Sequence, residues 1–150
     1  MSEIGFYHLR TMPLERALPR LLERALAEGH RILVVAGSDE RVRDLDALLW
    51  TYSDASFLPH GTARDGHAAR QPVFLAAADE SPNDATMLVL VDGVASRRLG
   101  AFKRVCDLFD GNDPASVEAA RQRWRAAQAD GHELTYWQQT DAGWEKRALG

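Results

Sequence analysis

Cysteine is nearly absent: Cys106 is the only one in 150 residues, so no internal disulfide can form, and no Cys/His set has the spacing of a structural zinc site. Lysine is almost as rare, with Lys103 and Lys146 beside sixteen arginines. Long apolar runs are missing too. The strongest, Ile32 to Ala36 and Met87 to Val91, fall far short of the roughly 20 residues a membrane span needs. The opening Met1-Ser2-Glu3-Ile4-Gly5 lacks the basic start and apolar stretch of a secretion signal, which sets the expectation of a cytoplasmic protein with no membrane partner. Glycine-rich loops are also lacking. The turn after the first extended segment is Arg10-Thr11-Met12-Pro13, so neither G-x-G-x-x-G nor G-x-x-x-x-G-K-[ST] is present and no backbone cradle for a phosphate is expected there.

What is present is an ordinary globular composition, 45% apolar and 27% charged, of a length that suits one buried core. A single domain over 1–150 is expected, with 139–150 a polar, partly flexible tail. Charge is unevenly placed: Arg97 to Arg125 holds seven cations against four acids, so this segment is +3 in a chain of net charge −4. Arginine offers two-point recognition of carboxylate or phosphate where lysine offers a point charge, although a genome-wide base bias explains the same usage. An acidic chain with one local basic face fits an acidic partner better than bare nucleic acid, whose binding requires many neutralised phosphates.

Periodicity alternates along the chain. Ile4 to Leu9, Arg31 to Ala36, Pro72 to Ala76, Ala85 to Val91 and His132 to Gln138 read as strands. Leu18, Leu22 and Ala25 recur at helical spacing, with Pro19 delaying or kinking that helix. A second helix starts at the N-cap Ser38, with Val42, Leu45, Leu48 and Leu49 inward. A third is expected over Leu99 to Cys106, with Asp107 to Asp110 extended. The last begins at Asp113-Pro114 and runs to Asp130-Gly131. Strands alternating with helices imply an α/β fold: a doubly wound, mostly parallel sheet with helices on both faces and no working nucleotide loop.

His60, Asp65 and His67 share one loop, but two histidines seven apart form no standard ligand spacing. Cys106, beside Val105 and Leu108, reads as a small buried hydrophobe. No catalytic or metal constellation results. Two surfaces carry more information. Trp50 and Tyr52 precede Phe57, Leu58 and Pro59, large apolar groups bracketing an irregular stretch, as in protein interfaces or a partly buried core. On the last helix, at about 100° per residue, Val117, Arg121, Trp124, Arg125 and Gln128 fall within one quadrant. Two arginines beside an aromatic suit an acidic peptide ending in a hydrophobic residue; equally, Val117, Ala120, Trp124 and Ala127 form a core stripe that the arginines border.

The segments Phe6-Tyr7, Gly29 to Val34, Leu45-Asp46-x-x-Leu49-Trp50, Ser56-Phe57-Leu58-Pro59-His60, Pro72-Val73 and Phe102-Lys103-x-Val105-x-Asp107-x-Phe109, followed by the arginine-rich helix, together resemble the chi subunit of bacterial DNA polymerase III. The resemblance implies a non-catalytic accessory subunit of the clamp loader, Rossmann-like and without cofactor. It implies a surface for the psi subunit at Trp50, Phe57 and Pro59, with Phe57 as the buried anchor. It also implies a site for the acidic C-terminal tail of single-stranded-DNA-binding protein at Val117, Arg121, Trp124 and Arg125. Val117 departs from the family, where a basic residue can stand, so tail affinity is expected to be lower or to rest more on Arg125, Arg123 or the Arg97-Arg98 pair. In some bacteria the psi surface also binds a helicase-like protein, which implies a competing partner. Two other classes stay open on the residues alone: a small α/β enzyme acting on a nucleotide or phosphorylated metabolite through His60 or His67, and direct single-strand binding through the Arg97 to Arg125 face. The adaptor reading expects little direct DNA binding.

Overall fold

The computed structural model describes residues 2–53, 58–78, 80, 82–141 and 143–147. Eight strands form one sheet: β1 (Glu3–Leu9), β2 (Ile32–Val35), β3 (Gly61–Thr62), β4 (Val73–Ala76), β5 (Met87–Leu90), β6 (Arg104–Asp110), β7 (Glu133–Thr140) and β8 (Gly143–Arg147). Their order is β3-β4-β2-β5-β6-β1-β7-β8. All neighbours are parallel except β7 and β8. Three helices cover it: α1 (Leu14–Ala27), α2 (Asp39–Thr51) and α3 (Pro114–Ala129).

Which face each helix takes follows from the direction of its crossover. From β1 through α1 to β2, and from β2 through α2 to β3, the chain moves toward the β3 edge; from β6 through α3 to β7 it moves the other way. Right-handed crossovers in opposite directions place their helices on opposite faces. Accordingly Leu18 and Leu22 of α1 and Leu45 and Leu49 of α2 share a core with Ile32 and Val34, while Ala120 and Ala127 of α3 share the other with Leu33 and Val35. The wholly buried runs of β2, β4 and β5 are those expected of strands covered on both sides. This is the doubly wound α/β fold read from the sequence.

Helix ends follow local chemistry. Gly29 and Gly131 take positive φ just past α1 and α3. The next residues, His30 and His132, donate back to the Ala25 and Ala127 carbonyls, which caps carbonyls that the helix leaves unpaired. Pro19 neither delays nor ends α1: it is buried inside the helix, so the Glu15 carbonyl lacks its usual donor.

Two expectations are corrected. The helix expected over Leu99 to Cys106 is one helical turn, Leu99–Ala101, followed by β6; the pairing of β6 with both β1 and β5 outweighs helical spacing. The expected polar tail from 139 instead carries the end of β7 and all of β8. There Trp144 packs edge-on against the Tyr7 ring at 5.2 Å. The remaining alternation of Glu145, Lys146 and Arg147 is that of an edge strand with its charges outward.

Candidate functional site

Because α1 leaves β1 on one face and α3 leaves neighbouring β6 on the other, a crevice opens beyond the carboxyl ends of these strands, where ligands of open α/β sheets normally lie. It measures about 850 Å³ and is lined by Arg10, Met12, Arg41, Asp92, Asp110 and Arg123 among others. Many of its hydrogen-bonding groups are already occupied. The amides of Arg10, Thr11 and Met12, which occupy the phosphate-binding turn of such folds, all donate to Oε1 of buried Gln139 at 2.9, 2.9 and 2.7 Å. Pro13, leading into α1, has no N–H to offer. At α3, Pro114 fills the first helical position and Asp113 accepts from the Ala115 amide at 3.2 Å and the Ser116 hydroxyl at 2.8 Å. Across the crevice the Gly37 amide donates to Asp92, whose carboxylate also accepts from Arg41 Nε at 3.1 Å. Arg123 turns inward, its guanidinium forked onto buried Asp107 at 2.7 and 3.0 Å. Burial pushes the Asp107 carboxyl up, against the opposing pull of Arg123.

The opposite situation holds where α3 meets β1, β6 and β7. Small buried Ala120 and Ala127 let the helix approach the sheet, with Val117 and Trp124 half-buried against the same core. The core stripe and the arginine-bordered surface are therefore one feature. Phe6, Phe109, Val117, Arg121, Trp124 and Tyr136 line a dimple of about 10 Å³, room for roughly one water. The Trp124 ring lies 5.3 Å from Phe6 and 6.2 Å from Tyr136. Phe6 stands beside Tyr136 in the register of β1 and β7. His8, from β1, hydrogen-bonds the Tyr136 hydroxyl through Nδ1 and packs edge-on to Phe109 at 5.2 Å. Burial lowers the His8 pKa. It raises that of Tyr136, with the charges of Arg121 and Arg147 pulling the phenol back. Arg121 is 55% exposed and meets Glu118 at only 4.0 Å, a surface pair of little strength.

The structure thus brings Val117, Arg121 and Trp124 together and leaves Arg125 exposed on α3, outside the residues lining the dimple. Phe6, Phe109 and Tyr136, the floor, were not singled out as site residues. Only strand order places β1, β6 and β7 side by side beneath α3.

At the far side, Trp50, in the last turn of α2, is 58% exposed, the exposed large hydrophobic among the described residues. Its ring lies 4.8 Å from buried His60. His60 Nδ1 is 2.7 Å from the Leu58 carbonyl and Nε2 is 3.3 Å from the Asp46 carbonyl, so the histidine ties the segment at Leu58 to α2. Among the described residues no group of three His, Cys, Asp or Glu side chains could hold a metal ion. Pro59 is half-buried nearby, and Phe57 lies outside the described residues. Cys106 is fully buried, and burial pushes its thiol up to about 11; it is the inert core residue its neighbours suggested. No described helix is long and apolar enough to cross a membrane.

These features define a class: a Rossmann-like domain without a nucleotide loop, its phosphate turn filled by its own glutamine, with Trp50 and Arg121 exposed on its surface. The sequence profile of the family described as DNA polymerase III chi subunit, HolC, matches residues 1–135, and the chain belongs to that family. It is 29% identical to the probable DNA polymerase III subunit chi of Rickettsia prowazekii (strain Madrid E) over 109 residues, which are 73% of this chain and 66% of that one. It is 26% identical to the DNA polymerase III subunit chi of Pseudomonas aeruginosa PAO1 over 137 residues, 89% of this chain and 94% of that one. A chi subunit is an accessory chain of the replicative polymerase and not itself an enzyme. The alternative of a nucleotide- or metabolite-processing enzyme is set aside on that membership.

Proposed function

We propose that this chain is the adaptor of the clamp-loader complex in the cytoplasmic replisome, holding the psi subunit at Trp50, Phe57 and Pro59 and the acidic C-terminal tail of single-stranded-DNA-binding protein at Val117, Arg121, Trp124 and Arg125. The observation that supports the tail site best is the pairing of loosely held Arg121 with the aromatic dimple of Trp124, Phe6 and Tyr136. A guanidinium takes both oxygens of a terminal carboxylate while the neighbouring apolar side chain packs on aromatic carbon. The dimple is too small for a ring as it stands, so binding entails a rotamer change at Trp124 or Arg121, a common accommodation at interfaces. The psi surface is supported by exposed Trp50, since tryptophan is a frequent hot-spot residue. A helicase-like protein would compete for that surface, and little direct DNA binding is expected.

The test is fluorescence polarisation with a labelled acidic peptide ending in phenylalanine with a free carboxylate. Wild type is expected to bind at micromolar concentration. Arg121→Ala, or amidation of the peptide, should weaken binding more than tenfold, the loss of about 2 kcal/mol or more that follows removal of one partner from a charge-assisted contact. Undiminished binding by Arg121→Ala would remove α3 from the proposal.

A further inference from the structure

We infer that Arg147 of β8 is a second anchoring cation of the α3 site, gripping a carboxylate upstream of the peptide terminus while Arg121 holds the terminal one. The inference rests on the reading of α3 as a peptide site, and extends that site onto a strand beyond the family-matched residues 1–135.

Register carries it. Arg147 lies directly opposite Tyr136 in the antiparallel β7–β8 pair, and side chains of directly opposed residues leave the same face of a sheet. Tyr136 lines the dimple and its ring meets Trp124, so that face is the one α3 covers. Arg121 lines the dimple with Tyr136 from the helix, Arg147 stands opposite Tyr136 on the edge strand, and the charges of both pull the phenol pKa down against burial. The two arginines therefore stand on opposite sides of one aromatic floor.

Neither is firmly committed elsewhere. Arg147 is 49% exposed and reaches Glu145 at 3.4 Å, while Arg121 reaches Glu118 at 4.0 Å; exposed pairs of this kind are weak and exchangeable. Glu145, on the same face of β8, is the counter-ion that an incoming carboxylate would displace. Reach fits an extended acidic peptide. Opposed Cα atoms of an antiparallel pair lie about 5 Å apart and an extended chain advances about 3.4 Å per residue, so carboxylates two to four residues before the terminus come within range of Arg147. The chain is acidic overall, at net charge −4, yet around this site Arg121, Arg147 and neighbouring Arg125 outnumber Glu118 and Glu145 by one, a local excess of positive charge that favours an acidic partner.

The experiment uses the full chain and two labelled peptides ending in phenylalanine with a free carboxylate. One carries aspartates at the third and fourth positions from the end, the other asparagines. Arg147→Gln should weaken the aspartate peptide by about three- to fivefold, the size of a rim charge contact, and leave the asparagine peptide unchanged. Arg121→Ala should weaken both. If Arg147→Gln binds both peptides like wild type while Arg121→Ala loses both, the assignment of Arg147 is wrong and the α3 site stands. Equal weakening of both peptides by Arg147→Gln would also overturn it, because the arginine would not then be reading the upstream carboxylates. Failure of wild type to bind either peptide at low salt would overturn the α3 site itself, and Arg147 with it. Unchanged thermal melting of Arg147→Gln keeps a loss of affinity from being a loss of fold.

Discussion

The crevice at the carboxyl ends of β1 and β6 and the dimple beneath α3 invert the usual relation between size and function. The crevice is some eighty times larger, about 850 Å³ against about 10 Å³, and lies where a nucleotide would be sought. Yet several of its polar groups already satisfy one another: Gln139 takes the β1–α1 turn, Asp113 the start of α3, and Asp92 both Gly37 and Arg41. The dimple is small, but above its buried Phe6 and Phe109 the rings of Trp124 and Tyr136 are partly exposed, and its arginine is held only by a loose surface pair. A ligand gains free energy from groups not already paired within the protein, so volume alone is a poor guide.

The sharpest way to break this comparison is at the wall of the crevice. Arg123→Ala should destabilise the fold by about 3 kcal/mol or more in urea denaturation, because buried Asp107 loses the guanidinium that compensates it. In the variant the Asp107 carboxyl, already raised by burial, rises further. The folded state then binds a proton that the unfolded chain releases, so the deficit should shrink as pH falls through that range. A deficit independent of pH would mean that Asp107 does not carry the effect.

Next in size is the glutamine. Gln139→Ala removes the acceptor of three amides and should cost about 2 kcal/mol, water recovering part of the loss at the exposed turn. It should also convert the crevice toward the behaviour its shape suggests. Inorganic phosphate or sulfate is expected to raise the melting temperature of Gln139→Ala and not that of wild type, since binding to the folded state stabilises it. Equal shifts in both proteins would show that the glutamine does not close the turn. The smallest effect is at the dimple. Val117→Lys adds a cation beside Arg121 and should strengthen acidic-peptide binding by about threefold at low salt, an increase that fades as salt screens it. Weaker binding would show that the valine contributes packing there rather than marking a missing charge.

Much of the architecture is readable in the chain because strands buried on both faces leave continuous apolar runs, as at Ile32 to Val35 and Met87 to Leu90. Helix ends are readable where capping chemistry is local: Ser38 accepts from the Arg41 amide, Asp113 from Ala115, and Gly29 and Gly131 terminate α1 and α3. Local periodicity fails at β6, where pairing with β1 and β5 is bought by residues far along the chain. It fails again at β8, whose charges reflect its place at the edge rather than an unpaired tail. The candidate site divides in the same way. Arg121 and Trp124 share a helix face, so their spacing reveals them. Phe6, Phe109 and Tyr136 sit on three strands, and only the sheet order makes them one floor.

From its residues alone the chain specifies an α/β alternation, a first turn with no glycine for a phosphate, and a helix with arginines beside a tryptophan, because each depends on neighbours within a few positions. That the crevice is closed depends on Gln139, 127 to 129 positions from the amides it accepts from. That β8 brings Arg147 to Tyr136 depends on a strand register. Hydrogen bonds and side-chain contacts act over a few ångströms, whatever the separation along the chain, so folding had to set those two properties.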